Sequence, residues 1–331
     1  RPLALDPDVD VDAPRARGFR PADKPDRLER FLRHHRDVAD LRPADARNRV
    51  EVDPKRLITA DPKKLLAGPA AERRLRAGGK RLDPWKTLVS LKKQDCVFPV
   101  IHGPYGEDGT LQGLLELTGA AYVGCGVLGS SAGMDKEITK KLAADAGLPQ
   151  VPWAVARSQA EASAAAKKLG YTVFVKPARM GSSVGVVKAR SPRELPAAVR
   201  EALRYDDKAL IEKGIPAREI ETAVLGDPWA AKGDRFALKA SIVGEIAPNA
   251  EFYDYHAKYL DPDGARLLVP APITSAQTRR VQELALASFR ALDLYGLARV
   301  DFFMHKKTGA VYFNEPNTLP GFTPISMYPR L

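Results

Sequence analysis

The sequence predicts an α/β protein of two or three domains, and three observations carry that reading. Apolar, β-branched runs such as "DCVFPVIHG" and "YTVFVKPA" read as buried strands. Amphipathic stretches such as "TSAQTRRVQELALASFRALDL" have apolar residues at helical spacing and stand between them. With 331 residues, 44% of them hydrophobic, the chain can bury a sizeable core and is long enough for more than one domain.

Taken in order, residues 1–49 are rich in Arg, Asp, Pro and Ala. Only "LERFLRHHRDVADL" has the periodicity of an amphipathic helix, and much of the remainder has the composition of a disordered segment. From Val50 the text becomes globular. "DPKKLLAGPAAERRLRAGG" predicts a helix ending near Gly78 and Gly79, and "DCVFPVIHG" a buried strand. "TLQGLLELTG" and "DKEITKKLAADAGLP" predict two helices, the second stopped by Gly147 and Pro149. "YTVFVKPA" is a predicted strand, and "SPRELPAAVREALRY" a helix with Ser191 as N-cap. "ALIEKGI" and "REIETAVLG" are predicted strands. After the long helix, "GLARVDFFMHKKTGAVYFNEPN" predicts two strands joined by a turn at Lys307, Thr308 and Gly309.

Composition narrows the function. The formal charge is +11, and most of the surplus lies in the first hundred residues. Acidic residues are interleaved there and no nucleic-acid motif occurs, so a solvated surface is expected and a nucleic-acid partner is not. No apolar run is long enough for a membrane span, and no membrane partner is expected. The chain opens at Arg1 without a charged, apolar, small-residue leader pattern, which leaves room for residues in front of it. Cys96 and Cys125 lack metal-ligand spacing and fit a reduced, cytoplasmic chain.

Four stretches carry candidate chemistry. In "FVKPARMGSSVGV", Gly181 and Gly185 free the backbone, Ser182 and Ser183 can turn consecutive donors toward one anion, and Lys176 ends the preceding strand. A Gly-Ser-Ser turn beside a lysine is also an ordinary surface loop. In "ARVDFFM" and "FNEPNT", strand alternation puts Arg299 with Asp301, and Glu315 with Asn317. Asp, Glu and Asn offer hard oxygen donors suited to Mg²⁺, while a salt-bridged hairpin remains the alternative. "HGPYGEDGTLQGLLE" places His102 after the predicted strand, with Glu107 and Asp108 before a helix. It reads as a capped junction or as the polar wall of a pocket. "EFYDYHAKYL" reads as an aromatic surface loop or as a lid carrying Lys258 and Tyr259.

Six stretches in this order, "HGPYGEDGTLQG", "GSSAGMDKEITKKL", "VKPARMGSSVGV", "EFYDYHAKY", "ARVDFF" and "NEPNTLPGFTPISMYP", resemble the D-alanine–D-alanine ligases, which are ATP-grasp enzymes. The resemblance covers about residues 96–331. It implies a three-domain ATP-grasp architecture with an atypical N-terminal segment. The domains would span 1–123, 124–212 and 213–331, the last shortened at its end by loss of a terminal helix. Lys136, Lys176 and Ser183 would meet ATP; Glu212 and the backbone near Ile215 would take the adenine, and Glu219 the ribose. Asp301, Glu315 and Asn317 would hold two Mg²⁺, with Mn²⁺ as a possible substitute. Lys258 would reach the γ-phosphate, and Arg299 would steady the acyl phosphate. His102, Ser182, Tyr259, Gly321, Ser326 and Met327 would line the two D-alanine subsites. A homodimer follows by analogy only.

The resemblance has gaps. The glycine-rich "GGxSxEHxVS" loop with which the family opens has no counterpart in residues 1–49, which puts recognition of the first D-alanine in question. Divergence, a reading-frame or assembly error, and genuine loss of those contacts are the accounts left open. His256 stands where the lid pattern has Glu, and Pro316 sits among the metal-ligand candidates. Tyr259 resembles the D-alanine type. A D-alanine–D-lactate ligase and a nucleotide-binding protein without ligase activity are the alternatives.

Overall fold

The computed structural model describes residues 50–51, 80–81, 90–91, 93–248, 265–323 and 326–331. The expected helices in "LERFLRHHRDVADL" and "DPKKLLAGPAAERRLRAGG", and the lid stretch with His256, Lys258 and Tyr259, lie outside the described residues. A short pair, β1 (Val50–Glu51) and β2 (Lys80–Arg81), precedes the helices α1 (Thr110–Thr118), α2 (Val127–Met134) and α3 (Lys136–Asp145). Then come β3 (Trp153–Ala156), α4 (Gln159–Leu169), β4 (Val173–Pro177), β5 (Val187–Ala189), α5 (Leu195–Ala202) and β6 (Ala209–Lys213). The chain continues through β7 (Ala217–Gly226), β8 (Lys239–Pro248), β9 (Ala265–Leu268), α6 (Ser275–Ala291), β10 (Gly296–His305) and β11 (Val311–Asn317).

The first large unit is a four-stranded antiparallel sheet, ordered β3-β6-β4-β5, with α4 and α5 on one face. Val173, Val175 and Ile211 alternate inward and meet Ala162 and Ala166 of α4 and Leu195, Ala198 and Val199 of α5. Alanines on α4 let that helix lie close to the strands. Its start is fixed by Ser158, whose hydroxyl accepts from Glu161 N.

The second is a five-stranded antiparallel sheet, ordered β11-β10-β7-β8-β9, backed by α6. Val281, Leu284, Ala285 and Phe289 of α6 pack with Ile220, Val224, Val300, Phe302, Met304 and Phe313 from the strands. Thr274 and Gln277 form a reciprocal capping box at the start of α6. The β10–β11 turn has Gly309 at φ 70°, a left-handed position suited to glycine. Pro316, paired with Val300, costs no ladder bond on the outer side because β11 is the sheet's edge.

Strand β11 is bulged. Phe313 pairs with Phe302 and Glu315 with Asp301, so Asn314 is the extra residue. In a regular strand Phe313 and Glu315 would share a face. Here Phe313 is fully buried against α6, whereas Glu315 turns to the opposite side.

Two expectations are corrected. "DCVFPVIHG" forms no strand among the described residues; it contributes a single parallel bridge, Val97 to Tyr122, and is held by backbone bonds to residues 121–123. Ser191 is not the N-cap of α5: it opens a turn in which Glu194 N reaches Ser191 O, and the helix begins at Leu195. Elements α2, α4, β1, β2, β3, β5, β8 and β9 have no counterpart among the expected ones. Of the described helices, none is long and apolar enough to cross a membrane.

Phe302 is 1% exposed and packs edge-on against Phe313, ring centroids 6.1 Å apart. Phe302→Ala is therefore expected to cost about 3–5 kcal/mol, read as a lower denaturation midpoint in urea.

Candidate active site

The α6-distal face of the five-stranded sheet is polar. Register places Arg299 opposite Asn317 and Ala223, Asp301 opposite Glu315 and Glu221, and Phe303 opposite Glu219. Arg299, Asp301, Glu315, Asn317, Glu219 and Glu221 thus stand on one surface. The Arg299 guanidinium donates to both oxygens of Asp301, at 2.7 and 2.8 Å, and lies 3.1 Å from Glu221. Asn317 Nδ2 also donates to Asp301, at 2.9 Å. Burial disfavours the Arg299 charge, but Asp301 and Glu221 outweigh it and keep the guanidinium firmly protonated.

Helix α3 brings cations to this surface. Asp135 caps it, accepting from Glu137 N and Ile138 N. Lys136, its first residue, donates its backbone N–H to Ala178 O. Its Nζ donates to Met180 O at 2.8 Å and lies 3.0 Å from Glu315 Oε2. One side chain therefore bridges the loop after β4 and the β10–β11 hairpin. Lys208 braces the start of α3, contacting Asp135 and Glu137 at 2.7 Å each.

Lys176 stands near the end of β4 beside Glu212 of β6. Its Nζ lies 2.5 Å from Glu212 Oε2 and 5.6 Å from the centre of the Phe303 ring. The other Glu212 oxygen is 2.7 Å from Lys140 of α3. Burial alone would raise the Glu212 pKa, but the two lysines reverse this and hold it at about 2. Burial disfavours the Lys176 charge too, and Glu212 more than restores it. For Lys140 burial wins, and its pKa is lowered.

The loop after β4 differs in detail from the expectation. Gly185 has φ 67°, and a Cβ there would strike Tyr205 and Pro177. Gly181 is not left-handed; Ser182 and Ser183 are instead, at φ 55° and 59°. Each costs about 1–2 kcal/mol relative to ordinary backbone. Arg179 anchors the base of the loop by ion-pairing with Asp206 and Asp207.

A third group comes from the 102–109 loop. Glu107 accepts from Gly103 N at 2.5 Å; burial raises its pKa, while Gly103 N–H, His102 and Arg299 counter that. Asp108 is spent on the backbone N–H groups of Tyr105 and Thr110. A Cβ on Gly321 would lie 2.5 Å from Ser326 Oγ and 3.9 Å from His102 Nε2, so these three residues come together. Met327, by contrast, is buried against Gly244 of β8. Ile215 is half-buried in the link between β6 and β7.

The structure thus gathers Lys136, Lys176, Glu212, Glu219, Arg299, Asp301, Glu315 and Asn317 along one seam, with His102, Gly321 and Ser326 forming a neighbouring group. Lys140, Glu221 and Lys208 escaped the sequence reading. Lys140 and Glu221 had a usable signal, since they fall at i+4 on a helix and i+2 on a strand from predicted site residues. Lys208 had none. A cavity of about 580 Å³ opens beside the seam, lined by Asp108, Asp135, Asp206 and Asp207 with Arg179 and Tyr205. Its acidic lining suits a polyphosphate poorly, and it contains none of the sheet-face residues. Among the described residues no three His, Cys, Asp or Glu side chains group into a self-sufficient metal site. Two carboxylates and an amide nevertheless fit Mg²⁺, which keeps water and phosphate oxygens in its shell.

Solved structures share this fold. The D-alanine–D-alanine ligase of Coxiella burnetii is 34% identical, with a TM-score of 0.65 over 82% of this chain and 73% of that one. The VanG D-Ala:D-Ser ligase of Enterococcus faecalis is 35% identical, with a TM-score of 0.66 over 82% and 79%. The two antiparallel sheets with a cation-lined seam are an ATP-grasp fold. A family model described as D-ala D-ala ligase C-terminus matches residues 142–331, and one described as D-ala D-ala ligase N-terminus matches residues 34–125. The chain belongs to the D-alanine–D-alanine ligase family. The D-alanine–D-alanine ligase of Heliobacterium modesticaldum is 54% identical over 245 residues, which cover 72% of this chain and 64% of that protein. The chain thus spans slightly less than two thirds of that relative's length. The N-terminal match reaches back to residue 34, before the globular text recognised from Val50.

Glu212 links the site to acid stability. Its pKa is held at about 2, against an ordinary 4.5. A depressed carboxyl stabilises the fold above the unfolded value and loses that contribution as pH falls through the folded one. The urea midpoint should therefore fall as pH drops from about 4.5 to about 2. Glu212→Gln should start lower at neutral pH and fall less steeply across that window; an equal slope would refute the coupling.

Proposed function

We propose that the protein joins two D-alanine molecules at the expense of ATP, giving D-alanyl-D-alanine, ADP and phosphate in the cytoplasm for peptidoglycan precursor synthesis. The observation that carries this reading is the 3.0 Å approach of Lys136 Nζ to Glu315 Oε2. It brings cations from the central unit and oxygen donors from the C-terminal hairpin to one place, as a triphosphate with bound cations needs. The proposed domains are 1–123, 124–212 and 213–331, with the nucleotide between the last two. A homodimer is part of the proposal by family analogy.

A carboxylate is a poor nucleophile toward a phosphate that is itself anionic. Lys136, Lys176 and Arg299 would lower that repulsion while the first D-alanine carboxylate attacks the γ-phosphate. Asp301, Glu315 and Asn317 would hold Mg²⁺, two ions in this reading, which supplies further neutralising charge when bound. Glu212 and the Ile215 backbone would face the adenine and Glu219 the ribose. Arg299 would then face the acyl phosphate while the second D-alanine amine attacks it and phosphate leaves. His102, Gly321 and Ser326 would border the amino-acid pocket with Ser182, and Ser183 would meet the nucleotide from the same loop. Met327, being buried, would contribute through its backbone. Lys258 and Tyr259 would close the site from the 251–260 stretch. The Heliobacterium relative is named for D-alanine as both partners, which favours that acceptor over D-lactate.

Phosphate release with ATP and Mg²⁺ should depend on D-alanine, and L-alanine or no amino acid should give only background. D-Alanine-independent release, or none, would remove the reading. Glu315→Gln should reduce turnover about a hundredfold or more with the circular-dichroism spectrum unchanged. Full activity in that variant would remove the metal assignment.

A further inference from the structure

Lys140 has no part in the reading above, yet it is 1% exposed and belongs to the seam. It follows Lys136 by four residues on α3, so both reach the same side of the helix. Its Nζ lies 2.7 Å from Glu212 Oε1, while Lys176 lies 2.5 Å from Oε2. Neither Lys140 Nζ nor Glu212 Oε1 has a further hydrogen-bond partner, and charge is the larger part of their mutual attraction. Glu315 draws both lysines, Glu219 draws Lys176, and Lys176 repels Lys140. A buried lysine is costly to keep, and an apolar side chain would fill the space more cheaply.

We propose that Lys140 is a positioning residue of the nucleotide site: it shares the Glu212 carboxylate, prevents that carboxylate from neutralising Lys176, and so leaves one net positive charge facing the phosphates. The inference rests on the reading that Lys176 meets a nucleotide phosphate. Without Lys140, Glu212 and Lys176 form a neutral pair, and Lys176 is drawn toward the carboxylate and away from the ligand. With it, two cations compete for one anion, and Lys176 can turn to a phosphate without leaving Glu212 unpaired.

Calorimetry with ADP and Mg²⁺ on the full chain tests this. Lys140→Met and Lys140→Gln should each weaken ADP binding about tenfold, with the KM for D-alanine unchanged. In a Glu212→Gln background, Lys140→Met should have little further effect, because no carboxylate remains to be shared. If either folded Lys140 variant binds ADP within about twofold of wild type, the inference falls. It also falls if the loss is equally large in the Glu212→Gln background, or if the KM for D-alanine rises in step. Should the methionine variant not fold, the glutamine variant carries the same comparison. Phosphate release is measured separately: a wild-type chain that binds ADP without D-alanine-dependent release removes the ligase reading and leaves the Lys140 comparison intact. A wild-type chain with no ADP affinity overturns both.

Discussion

A carboxylate shared by two lysines is the constraint around which the seam is organised. Glu212, Lys176 and Lys140 come from β6, β4 and α3, so three separate elements must be in register to satisfy one buried charge. Leaving any member unpaired costs several kcal/mol. The spacing of α3 against the central sheet is thereby fixed, and with it the place of Lys136. From there a single side chain reaches both the loop after β4 and the C-terminal hairpin.

The same logic extends to the far end of the seam. Arg299 is buried, yet Asp301 and Glu221 surround it, with Asn317 supporting Asp301. Glu107 approaches from the 102–109 loop, and Thr318 Oγ1 donates to the Glu107 carbonyl. The loop is thus tied to the hairpin by polar contacts rather than by a strand. That fits the half-buried, weakly paired character of residues 96–103. Polar cohesion of this kind is exchangeable: a bound anion or cation can take over a partner without exposing apolar surface.

Where the apolar pattern was strong, the sequence was readable. The long helix α6 and the strands β4 and β10 have clean periodicity, and α3 has Asp135 to cap it. Helix α4 was missed because "QAEASAAAKKL" buries alanines, which give little contrast between faces. Helix α2, "VLGSSAGM", is nearly all small residues; Gly129 there approaches the Asp293 carbonyl so closely that a Cβ would sit 2.7 Å from it. Strand β8 carries an internal Gly244 with Met327 packed over it. The site residues were found through short motifs, and the motifs named those expected to meet a ligand. They did not single out Lys140, Glu221 or Lys208, whose partners are other protein groups far away in sequence.

The extra residue at Asn314 gives β11 two independent halves. Before it, Val311 and Phe313 answer to the hydrophobic interior; beyond it, Glu315 and Asn317 answer to the seam. The phase slip insulates one task from the other, so the donor set can be exchanged without disturbing the packing beneath α6. It also makes the strand intolerant of length changes: one residue added beside Asn314 would carry the acidic side chain into oil and swing Pro316 out to face the cations.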